Sequence, residues 1–328
     1  MARFSGWQWL VVRYLVAVGT LSTSIGLYRL LKYIYINLRR SSLLRYRQPN
    51  SWALVTGASD GIGLRFAEQL ASHGFNVVLH GRNLDKLSKV VERLQAAYPS
   101  REFTTIIADA SKGHGMQARI DNAGAIARNL SGPLTVLVNN VGGYSAMPDA
   151  FCALADAPAA AVDEVINVNV RFTAQLTREL LPVLVANAPA LVLTVGSVSC
   201  AFGAPYVGLY TASNAFLTNW SVSLAREMQS EGHDVECLCI NVGKTVDASI
   251  FRTKPTFLEP SATTVAKGSL QKVGCGKPWV EATLGHTIPF VFMSEWLPES
   301  LVNYLVKSEI VKMAAPESWK AKRGKKEQ

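Results

Sequence analysis

Thr56-Gly57-Ala58-Ser59-Asp60-Gly61-Ile62-Gly63 joins an apolar run, Trp52–Thr56, to a stretch of helical periodicity over 63–73. Glycines at this spacing permit a tight turn and let a pyrophosphate lie against the backbone N–H groups of a helix N-terminus. Such turns are common in isolation; position gives this one its meaning. It is the first strand-to-helix junction of a chain that keeps alternating. Strand-like runs recur at 76–80, 104–108, 134–139, 190–196 and 235–241. Helical patterns fall over 83–98, with Asn83 as its N-cap, and over 116–129, 162–186 and 210–231. The strands are near-continuous apolar runs, as parallel strands covered on both faces require. The expected architecture is α/β, a doubly wound parallel sheet of Rossmann type in a single domain.

The bend assigns Gly57, Ser59, Asp60, Gly61, Ile62 and Gly63 to a dinucleotide. Sites for NAD place an acid at the end of the second strand, for the ribose 2′-hydroxyl. Here that strand ends His80-Gly81-Arg82, and the Arg82 guanidinium suits a 2′-phosphate, so NADP(H) is the expected cofactor. Asp109, just past the third strand, is placed to accept from the adenine amino group, or simply to form a loop turn.

The net charge of +9 is concentrated at the ends. Before Asp60 there is no acid, and eight Arg and Lys residues from Arg3 to Arg47 give +8. From Lys307 onward the balance is +4, which leaves −3 on the body. A nucleic-acid binder carries its charge on the folded domain, so that class is excluded; cationic ends suit anionic lipid headgroups. Residues 7–28 are apolar and aromatic apart from Arg13, and read as a retained membrane anchor that either spans with Arg13 snorkelling or lies in the membrane plane. If it spans, the basic residues from Arg29 to Arg47 place the following domain in the cytosol. The boundaries are therefore 1–48 for the anchor and basic linker, 49–306 for the domain, and 307–328 for a basic tail. Cys152, Cys200, Cys237, Cys239 and Cys275 are odd in number and match no zinc spacing, which indicates reduced thiols.

With these motifs in hand, the chain from about 51 to 304 resembles the short-chain dehydrogenases/reductases, most closely the membrane-bound very-long-chain 3-oxoacyl-CoA reductase and 17β-hydroxysteroid dehydrogenase group. The glycine stretch has that family's form. Asn139-Asn140-Val141-Gly142 resembles the NNxG that braces the sheet beside the cofactor. Ser197 precedes Tyr210 by 13 residues, the family spacing, and Asn169 falls where the family keeps a proton-relay asparagine. The resemblance implies reduction of a lipophilic carbonyl substrate, with Tyr210 donating the proton and Ser197 hydrogen-bonding the oxygen. It also implies a substrate loop at 250–274, an apolar C-terminal segment at 287–304, and a homodimer through the helices at 162–186 and 210–231.

One position departs from the family. Its Tyr-x-x-x-Lys reads Tyr210-Thr211-Ala212-Ser213-Asn214, so Asn214 can donate to a ribose hydroxyl but brings no charge to lower the tyrosine pKa. The deficit should fall hardest on alcohol oxidation, where phenolate acts as base. Two functions stay open: a slow, reduction-biased enzyme, or a catalytically inactive NADP(H)-binding partner or scaffold at a membrane. Lys244, in the loop after the last strand, is either a substitute cation or a solvated lysine. The tail Lys325-Lys326-Glu327-Gln328 resembles a dilysine retrieval signal, which with the anchor points to the endoplasmic reticulum membrane.

Overall fold

The computed structural model describes residues 5–144, 147, 151–248 and 253–314. The chain divides into two compact units, residues 1–40 and residues 41–328. The first is a single helix, α1 (Gly6–Leu38), long and apolar enough to cross a membrane. Its 33 residues span about 50 Å at 1.5 Å each, more than the roughly 30 Å of a hydrocarbon core. The helix runs ten residues past the expected 7–28. Arg29 and Lys32 are good helix formers, and the Lys32 ammonium lies over the Tyr28 ring, 5.8 Å from its centre.

In the second unit the elements are β1 (Trp52–Thr56), α2 (Gly61–Ser72), β2 (Asn76–Gly81), α3 (Leu84–Ala97), β3 (Phe103–Ile107), α4 (Met116–Arg128), β4 (Leu134–Asn139), α5 (Ala159–Ile166), α6 (Phe172–Ala186), β5 (Ala190–Ser197), α7 (Gly208–Ser230), β6 (Val235–Val242), α8 (Ala262–Gln271), β7 (Trp279–Glu281), α9 (Leu284–Val291) and α10 (Glu299–Ala314). The strands form one parallel, seven-stranded sheet in the order β3-β2-β1-β4-β5-β6-β7. This is the doubly wound fold expected from the alternation.

Alternate strand residues face opposite sides, so each strand feeds two cores. Ala53 and Val55 pack with Phe66 and Leu70 of α2, Leu87 of α3 and Val265 of α8. Leu54 on the other face packs with Ile120 of α4, Phe172 and Leu180 of α6, and Leu224 of α7. Asn83 caps α3 as expected, its side chain accepting from the Lys86 N–H at 2.9 Å. The order reverses between β1 and β4, and at such a switch point the loops diverge and leave a crevice beyond the strand ends.

Three features differ from the sequence expectation. The helix at 162–186 is interrupted by a π-helical turn, Asn167–Arg171, between α5 and α6. Residues 41–48 belong to the domain rather than to a linker: Leu43 and Tyr46 are buried, the Ser42 N–H donates to the Val273 carbonyl at 3.0 Å, and Thr135 Oγ1 donates to the Tyr46 carbonyl at 2.7 Å. The domain also continues past 306, because α10 extends to Ala314. All five cysteines are free thiols. Burial pushes Cys237 and Cys239, within β6, up to about 12.

Candidate active site

The glycine bend is built as its composition demands. Gly57 and Gly61 hold left-handed conformations, with φ of +67° and +57°, which residues bearing a Cβ rarely adopt. Gly63 plays a different part: a Cβ there would run into the Gly57 carbonyl oxygen, so its bareness lets α2 close onto the bend. Thr56 ties the bend to the neighbouring strand. Its Oγ1 accepts from the N–H groups of Asn140 (2.8 Å) and Val141 (2.9 Å), and the Asn140 side-chain amide donates to the Thr56 carbonyl at 2.9 Å.

A cavity of about 700 Å³ opens over this bend, within the usual range for small-molecule sites. Gly57, Asp60, Gly61 and Ile62 line one part, with Arg82 and Asn140. Asn169, Ser197, Tyr210 and Asn214 line another, so three separate segments (the turn before α6, the end of β5 and the start of α7) deliver the expected catalytic set to one space.

Each member is held by its own local structure. Asn169 sits in the π-turn, where an extra residue re-aims side chains. Its Nδ2 donates to the carbonyls of Gly143 (2.8 Å) and Val165 (2.9 Å), and its Oδ1 accepts from the Gly143 N–H at 2.8 Å. Ser197 ends β5 and is buried; its Oγ accepts from the Ser199 N–H at 3.2 Å and the Ser199 hydroxyl at 2.9 Å. Tyr210 lies in the first turn of α7, edge-on to the Tyr144 ring with centroids 6.4 Å apart. Burial lifts its phenol above 10, while hydrogen bonding from Ser197 and Asn214 pulls the other way. Asn214, one turn on, is buried, and its Nδ2 donates to the Tyr210 main-chain carbonyl at 2.8 Å.

Four residues expected at the cofactor lie outside the cavity lining. Asn139 precedes Asn140 by one residue and so points to the other face, where its Nδ2 donates to Thr177 Oγ1 of α6 at 2.9 Å. Asp109 caps its own turn, accepting from the N–H (2.9 Å) and hydroxyl (2.8 Å) of Ser111. Burial, the largest single influence, pushes its carboxyl up, but those bonds together with Arg82 and Lys112 nearby outweigh it and hold the carboxyl below the ordinary value. Ser59 is half-buried within the bend, and Gly63 is a packing residue.

The structure adds Ser199, Gly143, His80 and His286, which the sequence did not single out, and places Gly142 and Lys244, which it did. Ser199 and the backbone of Gly142 and Gly143 line the cavity. His80 stacks on Phe172 (4.9 Å), and its Nδ1 faces the Gly57 N–H at 3.4 Å. Its burial drives its pKa down to about 4. His286 of α9 packs against Gly243, and its Nε2 lies 3.3 Å from the Lys244 carbonyl. Lys244 lines the cavity, and its ammonium pairs with Glu259 at 2.7 Å.

The sequence pattern of the short-chain dehydrogenases matches residues 51–255, well over half of the chain. The protein is a short-chain dehydrogenase. This oxidoreductase is 30% identical over 293 residues to a very-long-chain 3-oxoacyl-CoA reductase of Pyricularia oryzae, an alignment covering 88% of this chain and 85% of the relative. Its fold is similar to that of a 7β-hydroxysteroid dehydrogenase, with a TM-score of 0.69 at 22% identity, covering 80% of this chain and 98% of the other. A short-chain dehydrogenase of Shigella flexneri complexed with NADP gives 0.61 at 24% identity, covering 73% and 99%.

Proposed function

We propose that this short-chain dehydrogenase is an NADPH-dependent reductase of a lipophilic carbonyl substrate, held at the endoplasmic reticulum membrane with its folded unit in the cytosol. The observation that carries the reading is the convergence of Ser197, Tyr210 and Asn169 on the cavity that the glycine bend opens into. The bend fits a dinucleotide: Gly57 and Gly61 offer backbone without side chains at a helix N-terminus, whose first N–H groups lack intrahelical partners, that of Gly61 being capped by Asp60 Oδ1 at 2.7 Å. Gly57, Gly61 and Ile62 would hold the diphosphate, Asn140 would support them, and Arg82 would take the 2′-phosphate. Bound there, the dinucleotide supplies the hydride.

The chain's own residues handle the proton. With its pKa lifted above 10 by burial, the Tyr210 phenol is protonated at neutral pH and is the acid from which a carbonyl oxygen takes its proton. Ser197 supplies a second donor to the same oxygen. Asn214 occupies the place of the motif lysine and offers an amide without charge, so turnover is slow. The 3-oxoacyl-CoA named in the relative is the first substrate class to test, and a ketosteroid the second. Exposed Leu284, Ile288, Phe292 and Trp296, four residues apart along α9 and the turn after it, support an apolar substrate or a lipid surface. Helix α1 supports membrane attachment; Lys325 and Lys326 lie outside the described residues. Pairing through α6 and α7 is supported by exposed Phe216 stacked with Trp220 at 6.4 Å on α7.

The test is NADPH consumption with a panel of 3-oxoacyl-CoAs and ketosteroids, run on wild type and Asn214→Lys together. Turnover on at least one class is expected. Zero turnover in both proteins, with NADPH still bound, would establish the second reading, a coenzyme-binding partner protein, which Asn214 favours.

A further inference from the structure

We propose that Ser199 is a positioning residue: by occupying both lone pairs of Ser197 Oγ it commits the one Ser197 proton to the cavity, and so supplies part of the phenolate stabilisation that Asn214 cannot. The inference rests on the reductase reading above, which assigns Ser197 and Tyr210 but gives Ser199 no part.

A serine hydroxyl has one proton and two acceptor lone pairs, and its rotor settles wherever its partners direct it. At the end of β5 the chain turns into a short 3₁₀ segment, Val198–Ala201. That turn folds Ser199 back over Ser197 and puts two donors on one oxygen: the Ser199 N–H at 3.2 Å and the Ser199 hydroxyl at 2.9 Å. With both lone pairs taken, the Ser197 proton points away from Ser199. Tyr210 lines the same cavity, and its phenol is the hydrogen-bond partner that Ser197 meets there. Without a ketone in the cavity, the series Ser199 to Ser197 to Tyr210 is then a run of donors with one direction, in which each bond polarises the next; with a ketone bound, the same Ser197 proton turns to the carbonyl oxygen.

The surroundings of the phenol make this run count. Ser197 faces it from β5, Asn214 from its own helix, and the Tyr144 ring from the loop after β4. Asn214 divides its amide donors, because Nδ2 already serves the Tyr210 main-chain carbonyl at 2.8 Å. Lys244 lines the same cavity, but its ammonium is held by Glu259 at 2.7 Å. Among the described residues, the donor aimed at the phenol with its direction set by a further group is Ser197.

The test uses full-length protein in detergent micelles carrying 13C-labelled tyrosine, with the Tyr210 resonance assigned by its loss in Tyr210→Phe. Wild type, Ser199→Ala and Ser199→Thr are titrated, and kcat and KM are measured with NADPH and a 3-oxoacyl-CoA. Ser199→Ala is expected to raise the Tyr210 pKa by about half to one unit and to lower kcat about fivefold, the effect of one neutral hydrogen bond. KM for either substrate should stay within about twofold. Ser199→Thr, which keeps the hydroxyl, should restore both. An unmoved Tyr210 pKa in Ser199→Ala overturns the proposal, as does a threonine variant as impaired as the alanine one, since that would be a packing effect. The Tyr210 titration needs no turnover. A wild type inactive on every ketone, with the shift still present, would therefore sink the reductase reading and uphold the positioning role.

Discussion

Asn214→Lys restores a cation one turn beyond Tyr210, and the geometry sets its effect. Asn214 is buried, and its side chain turns back onto the Tyr210 carbonyl. A longer side chain there has the 700 Å³ cavity to extend into. An ammonium about 5 Å from the phenolic oxygen, at an effective dielectric constant of about 20, favours the phenolate by about 3 kcal/mol. That corresponds to roughly two pKa units. The shift starts from a phenol that burial holds above 10. The reaction's equilibrium constant forbids kcat/KM from changing unequally in the two directions at one pH. The heavier deficit that the sequence leads us to expect for oxidation thus takes the form of a displaced pH profile, not of a directional bias in kcat/KM. The charge therefore shows in two ways. The alkaline limb of alcohol oxidation should move about two units toward neutrality. With the proton half transferred in the transition state, kcat/KM at pH 7 should rise about tenfold in both directions. The assay is NADPH-dependent reduction and NADP-dependent oxidation between pH 6 and 10. A variant that folds, binds NADPH as wild type does, and shows neither the displaced limb nor the gain would refute the electrostatic reasoning.

Arg82→Glu should raise the KM for NADPH about tenfold or more and leave that for NADH within about twofold, because the guanidinium, exposed at the cavity edge, would meet only the extra phosphate; equal losses for both coenzymes would argue against that contact. His80 and His286 are buried with pKa values near 4 against an ordinary 6.5. The unfolded chain takes up these protons below pH 6.5 while the folded one does not until about pH 4. The contribution of these two imidazoles to stability should thus be constant above pH 6.5 and fall between about 6.5 and 4, by at most about 3 kcal/mol for each. Urea unfolding at a series of pH values measures this, and His80→Phe should remove a share of the slope.

What could be read from the sequence, and what could not, follows from the physics of each signal. The glycine bend, Arg82 and the Ser197–Tyr210 spacing were legible because they are local: a strand end, a turn and a helix start fix their geometry within a few residues. Asn139 and Asn140 were read together, and the pleat separates them, one to the cavity and one to Thr177. The π-turn at Asn167–Arg171 was hidden because one extra residue in a helix barely disturbs its apolar period. Residues 41–48 read as basic linker because charge dominated, yet Leu43 and Tyr46 are the residues that dock. β7, three residues long, gave no usable pattern, and with it went the placement of His286 against the Gly243–Lys244 loop. Ser199 lies two residues from Ser197, but only the 3₁₀ turn brings its hydroxyl back.

The measurement that bears most directly on the site is equilibrium titration of purified full-length protein with NADPH and NADH, followed by coenzyme fluorescence. Saturable NADPH binding with a dissociation constant on the order of micromolar is expected, with NADH weaker by about tenfold or more. Absence of saturable binding for both reduced coenzymes would contradict a diphosphate seat at Gly57–Ile62, and every role assigned to Tyr210, Ser197 and Asn214 would fall with it.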